Sequence, residues 1–140
     1  MTYTGENVNP KVEICNGDYI LKENFDYVIK YENNKNVGNG KIIIYGKNRY
    51  TSTKEIIFNI NPCDLNNTKI QYKNTYSYTG NKIKPEVVIE YNGILLKENE
   101  DYNIIYQNNI EIGTGQIVIN GINNFTGKKF VRSIFLQIKM

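Results

Sequence analysis

A shift of 75 positions lays one half of this chain over the other. Tyr3-Thr4-Gly5 and Pro10 recur as Tyr78-Thr79-Gly80 and Pro85, and Leu21-Lys22-Glu23-Asn24 recurs as Leu96-Lys97-Glu98-Asn99. Asp26-Tyr27 maps onto Asp101-Tyr102, Asn33-Asn34 onto Asn108-Asn109, and Gly38, Gly40 and Gly46 onto Gly113, Gly115 and Gly121. From Tyr3 to Ser52, 23 of 50 positions are identical at this shift, which rules out a chance match. Repetition at a domain-sized period means two copies of one folding unit. The 140 residues are therefore read as two small domains, each with a modest core, and not as one. Their expected limits are 1–61 and 68–140, joined by a short linker over 62–67 in which Pro62 stiffens the chain.

The pattern inside each copy is that of strands. Ala is absent, Leu is scarce, and Ile, Tyr and Asn are abundant, so strong helix formers give way to β-branched and aromatic residues. Val87, Ile89 and Tyr91 alternate with polar neighbours, as do Tyr102, Ile104 and Tyr106. Asn92-Gly93 between apolar runs marks a hairpin turn. In the second copy the spacing predicts strands over 68–72, 85–91, 102–106, 116–120 and 129–138, with Tyr76-Ser77-Tyr78 leading into the Thr79-Gly80 turn. In the first it predicts strands over 11–15, 27–31, 41–45 and 54–60. Asn16-Gly17 places the first copy's turn one residue earlier in the repeat. The first copy also lacks the strand that 69–72 supplies to the second, which suggests an excised piece of a longer array with an unpartnered edge. Regular short strands with turn signals between them point to a sandwich or barrel.

Several chemistries are excluded by what the chain contains. There is no His, so neither a Ser-His nor a Cys-His nucleophile can be built, nor a His-containing zinc site. Cys15 and Cys63 are too few for an all-Cys zinc site, occupy unrelated repeat positions, and read as free thiols and not as a shared disulfide framework. Net charge is +3 with Lys and Glu interspersed, so no basic stripe suggests nucleic acid. No apolar run reaches the roughly 20 residues of a membrane-spanning helix. Gly38-Asn39-Gly40 and Gly113-Thr114-Gly115 precede β-branched strands, whereas a phosphate loop must open a helix. They read as turns or bulges. Asp26 and Asp101, with Glu23 and Glu98, could be imagined as calcium ligands, but the spacing matches no calcium loop. An Asp that holds its loop beside a Tyr entering the core is the better reading. No catalytic, cofactor-binding or metal-binding residue emerges. Three tyrosines, Tyr45, Tyr72 and Tyr91, remain as candidates for exposed rings that stack on a sugar or a partner.

The combined pattern of Tyr-Thr-Gly, Pro, Leu, Asp-Tyr, Asn-Asn and Gly-x-Gly resembles the tandem Ig-like repeats of large surface and secreted proteins in Firmicutes, especially clostridia. Tyr78-Thr79-Gly80, Pro85, Asp101-Tyr102, Asn108-Asn109, Gly113-Thr114-Gly115 and Asn124-Phe125-Thr126-Gly127 carry it most clearly. Copy one departs at Ser52, where the family tends to have Gly, and aligning Phe58 with Phe135 makes the end of copy two about two residues longer. The resemblance implies an all-β chain of two tandem small Ig-like β-sandwich modules, the first lacking its N-terminal strand. It implies an extracellular, cell-surface or wall-associated setting, neighbouring repeats as partners, and no catalytic residues or cofactors. The expected role is a noncatalytic spacer or stalk. The alternatives are an adhesin or carbohydrate-binding module that contacts host or wall glycans through exposed Tyr, and an accessory domain of a secreted enzyme.

Overall fold

Short alternating segments give short strands, and the computed structural model, which describes residues 1–137, contains no α-helix among them. The fold is all-β with several sheets, consistent with a β-sandwich. The chain divides into two units, Met1–Asn61 and Pro62–Met140.

Unit one holds β1 (Cys15–Asn16), β2 (Tyr19–Ile20), β3 (Tyr27–Glu32), β4 (Gly38–Gly46) and β5 (Thr53–Ile60). β1 and β2 form a hairpin, and β3-β4-β5 form an antiparallel sheet. The inward faces meet in a core of Leu21, Tyr27, Ile42 and Ile44, against which Val12, Ile14, Tyr31, Ile56 and Phe58 pack.

Unit two begins with β6 (Cys63–Asp64), a 3-10 turn (Leu65–Asn67), β7 (Lys69–Tyr72) and β8 (Thr75–Ser77). It continues with β9 (Val87–Tyr91), β10 (Ile94–Leu95), β11 (Tyr102–Gln107), β12 (Gly113–Gly121), β13 (Phe125–Thr126) and β14 (Lys128–Leu136). One sheet has the order β10-β9-β7 and the other β11-β12-β14-β8, with β8 parallel to β14. β6 and β13 make a two-residue parallel pair. Ile138, the expected end of the last strand, and residues 139–140 of the second domain lie outside the described residues.

The ladders correct four expectations. First, the hairpin turns occupy the same repeat position: Asn16 pairs with Tyr19 and Tyr91 with Ile94, leaving Gly17-Asp18 and Asn92-Gly93 as the loops. Only the glycine moves. Gly17 is left-handed at φ 61 in the first loop position, whereas Asn92 and Gly93 are both left-handed at φ 49 and 80. Either pattern twists a two-residue loop in the sense that hairpins need. Second, copy two carries no insertion at its end, because Gly38 pairs with Ile60 and Gly113 with Phe135 at the same shift of 75. Phe58 therefore corresponds to Ser133, and the two phenylalanines reach the glycine from different rungs. A Cβ at Gly40 would collide with the Phe58 ring and one at Gly115 with the Phe135 ring, which is why glycine stands there twice.

Third, the segment 62–67, expected to be a linker, is folded into unit two, where Cys63 and Leu65 are buried at 1% and 0% exposure. Fourth, the N-terminal edge of unit one is only partly bare. Met1–Tyr3 takes the place of β8: Asn61 N donates to Met1 O at 2.6 Å and Tyr3 N to Asn61 O at 2.8 Å, as Tyr78 N donates to Leu136 O at 2.7 Å. Met1's ammonium adds a bond to Asn59 O at 2.9 Å. The counterpart of β7 is what unit one lacks: β1 pairs with β2 alone, and 11–14 join no ladder.

Candidate functional site

The residues that recur in both copies are engaged in holding loops. Asp26, 1% exposed, accepts from Lys22 N at 2.8 Å and from the Tyr19 hydroxyl at 3.0 Å. Asp101 accepts from Lys97 N at 2.9 Å. Tyr31 and Tyr106 donate their hydroxyls to Pro10 O and Pro85 O at 2.9 and 3.1 Å. Asn34 and Asn109 donate to Val8 O and Ile83 O, and Asn48 and Asn123, both left-handed, donate to Phe25 O and Glu100 O. Side-chain bonds of this kind stand in for missing backbone partners in loops.

Burial pushes the Tyr27 and Tyr102 phenols above the usual tyrosine range, so both hydroxyls stay neutral at physiological pH. The Tyr19 phenol is also raised, first by its bond to the Asp26 carboxylate. No cluster of three or more metal-ligating side chains exists among the described residues, and no helix among them is long and apolar enough to cross a membrane. Cys15 is an exposed thiol and Cys63 a buried one.

The three candidate tyrosines do not form a platform. Tyr45 lies in unit one on β4, 38% exposed, between Val28 and Thr53. Tyr72 and Tyr91 lie in unit two at opposite ends of the β7–β9 pair. Tyr72 faces Val87, and Tyr91 is four residues further along β9, about 13 Å at strand rise. Tyr91 continues the inward series of Val87 and Ile89. It packs edge-on against Phe125, ring centroids 5.6 Å apart, and is half-buried. Another aromatic, Tyr76, lines a shallow groove with Lys84 and Glu86, but the Lys73 ammonium sits over its ring at 5.1 Å and Phe135 stacks on it.

Where the copies differ, two surfaces stand out. On the outer face of the large sheets, Lys30, Ile43 and Glu55 lie side by side across β3, β4 and β5. The same rung in unit two is Ile105, Val118 and Phe130. In unit one, Ile43 is buried between long charged side chains, with ion pairs Lys30–Glu32 at 2.9 Å and Lys41–Glu55 at 3.3 Å on the same face. In unit two, Ile105 and Phe130 are themselves exposed and form an apolar row.

The second surface is a cleft in unit one. A hollow of about 330 Å3 is lined by Leu21, Tyr27, Tyr50 and Thr53, and a groove of about 280 Å3 by Val12 and Ile56. Ile14, Ile44 and Lys54 border both. Unit two covers the corresponding positions with its own residues 62–72. Cys63 and Asp64 pair with Phe125 and Thr126, Leu65 is wholly buried, and Ile70 pairs with Ile89. As a result Ile89 and Phe125 are 1% and 4% exposed, whereas their counterparts Ile14 and Tyr50 are half-buried; Ile119 at 0% and its counterpart Ile44 at 8% are both buried. Sequence reasoning detected the missing strand but not the cleft, because Cys63 and Leu65 carry no periodic signal.

Comparison with protein-family models, with curated proteins and with solved structures finds no match for this chain.

Proposed function

We propose that the chain is a noncatalytic pair of Ig-like β-sandwich modules acting as a spacer in a bacterial cell-surface or secreted protein, with neighbouring repeats of a longer chain as its partners. One observation carries this reading. The polar residues common to both copies, Asp26 and Asp101, Tyr31 and Tyr106, Asn34 and Asn109, are bonded to their own loops. The outer faces meanwhile diverge from Lys30 and Glu55 to Ile105 and Phe130. A unit duplicated with its scaffold intact and its surface altered has kept a shape and no shared chemistry. The motif resemblance of Tyr78-Thr79-Gly80, Asp101-Tyr102 and Asn124-Phe125-Thr126-Gly127 supplies the Ig-like and extracellular parts of the proposal.

The test pairs antibody labelling of intact source cells with a glycan and host-matrix array screen. A spacer gives surface labelling and no saturable binding. Glycan binding that Tyr45→Ala or Tyr72→Ala abolishes would replace the spacer reading with the adhesin one. Hydrolysis of any glycan on the array would overturn the noncatalytic assignment.

A further inference from the structure

We infer that the cleft of unit one is an acceptor for an extended chain segment with the chemistry of residues 62–72, which would add to β1 as β7 adds to β9. The repeat supplies the occupant. At the shift of 75, β9 residues Val87, Val88, Ile89 and Glu90 correspond to Val12, Glu13, Ile14 and Cys15, and in unit two they pair with Tyr72, Gln71, Ile70 and Lys69. An incoming strand in that register sets an Ile opposite Ile14 and a Tyr opposite Val12, so its apolar face closes on the half-buried Ile14 and Ile56 beside the buried Ile44. Addition of a strand to an open edge draws affinity from main-chain hydrogen bonds and specificity from alternate side chains.

Two polar features fit the same occupant. Lys54 borders the cleft at the position of Lys129, whose ammonium donates to Asn66 Oδ1 at 3.3 Å in unit two. An Asn one residue after the buried Leu is thus the side chain that Lys54 is placed to meet. The far end of the groove sets the length of the segment. Ser133 is wholly buried and donates to Lys73 O at 3.3 Å, but its counterpart is the bulky Phe58. The acceptor therefore ends where Tyr72 would lie, and Met1–Tyr3 already fills the next position, that of β8. Such a segment is what a neighbouring repeat would offer as its connection, so that the connection between modules doubles as the lid of the next one. The cleft stands on geometry, and only the neighbouring repeat as source of the segment rests on the spacer reading: a negative glycan screen leaves the cleft untouched, and failure of the peptide to bind leaves the spacer intact.

The probe is a synthetic peptide of residues 62–72, added under reducing conditions to the whole chain, with amide hydrogen exchange read residue by residue. We expect saturable binding that slows exchange at 12–15 at least tenfold and raises the melting temperature of unit one with peptide concentration, as any ligand of the native state must. Unit two, whose cleft its own chain fills, is the internal control and should not change. A peptide carrying Leu65→Asp and Ile70→Asp should bind at least tenfold more weakly. No protection at millimolar peptide, equal binding of the altered peptide, or protection confined to other residues would each overturn the assignment. So would concentration-dependent self-association that protects 12–15 without peptide, which would make a second copy the occupant.

Discussion

Ile14 and Ile89 are the same residue at the same point of the repeat, yet one is half-buried and the other is 1% exposed. The difference lies outside the copied sequence. Unit two owns residues 62–72, which set Cys63 beside Phe125 and Ile70 beside Ile89 and bury Leu65. Unit one has Met1–Tyr3 in place of β8 and no counterpart of β7. Core completeness in these modules is thus set by the connecting segment, a stretch that neither strand period nor turn chemistry marks. The lesson extends to the outer face, where one rung reads Lys30-Ile43-Glu55 in one copy and Ile105-Val118-Phe130 in the other. The fold tolerates both because only the middle residue of that rung, Ile43 or Val118, is buried, and the positions that change on either side of it are exposed.

The largest effect should come from removing a buried aromatic. Tyr102→Ala is expected to cost about 3–5 kcal/mol and Tyr91→Ala less than half of that, since Tyr102 is 5% exposed and Tyr91 half-buried on Phe125. Equal urea midpoints for the two variants would break the assignment of inner and marginal tyrosines.

The pair Ile89→Ala and Ile14→Ala probes the comparison of the units directly. Ile89→Ala should cost about 2–5 kcal/mol, and Ile14→Ala clearly less, because a partly exposed side chain loses less burial and leaves no closed cavity. Hydrogen exchange in each unit separates the two losses. If they match, Ile14 is covered in solution and the cleft is closed.

Ser52 and Gly127 occupy the same left-handed corner, at φ 85 and 88. Ser52→Gly should stabilise unit one by about 1 kcal/mol by relieving that conformation. Gly127→Ser should cost unit two more than Ser52→Gly returns to unit one, because a Cβ there would also lie 3.1 Å from the Asp64 carboxylate oxygens. Thermal unfolding followed within each unit tests both signs, and a destabilised Ser52→Gly would show that Ser52 earns its place by a contact instead.

The smallest effect should come from copying unit one's charges onto the apolar row. The double variant Ile105→Lys and Phe130→Glu should shift stability by no more than about 0.5 kcal/mol, as for exposed substitutions away from structural features. A loss above 1 kcal/mol, roughly the scale of a buried contact, would mean the row is packed against something in solution.

Much of each unit is legible in the sequence. Val87, Ile89 and Tyr102 sit on inward faces because alternation is local and survives any arrangement of sheets. Asp26 and Asp101 were readable as loop holders because an Asp side chain bonds amides a few residues away. The hairpin was misplaced by one residue because Gly17 serves the first position of its turn and Gly93 the second, and both satisfy a two-residue loop. Phe58 and Phe135 were equated because they match by type, whereas the ladder equates Phe58 with Ser133. Tyr91 was placed among exposed candidates, although its parity with Val87 and Ile89 already pointed inward.

What the sequence determined by itself is the existence of two copies, their β character, the inward parity of each long strand, and the absence of any histidine-based chemistry. These follow from composition and from spacings of a few residues. The tertiary structure alone decided that 62–67 is a lid and not a linker, that Met1–Tyr3 stands in for β8, and that the cleft over Ile14 and Ile44 lies open. Each depends on which edge a short segment pairs with, and that pairing is chosen by burial of side chains far apart along the chain, such as Cys63 beside Phe125, and not by any local preference.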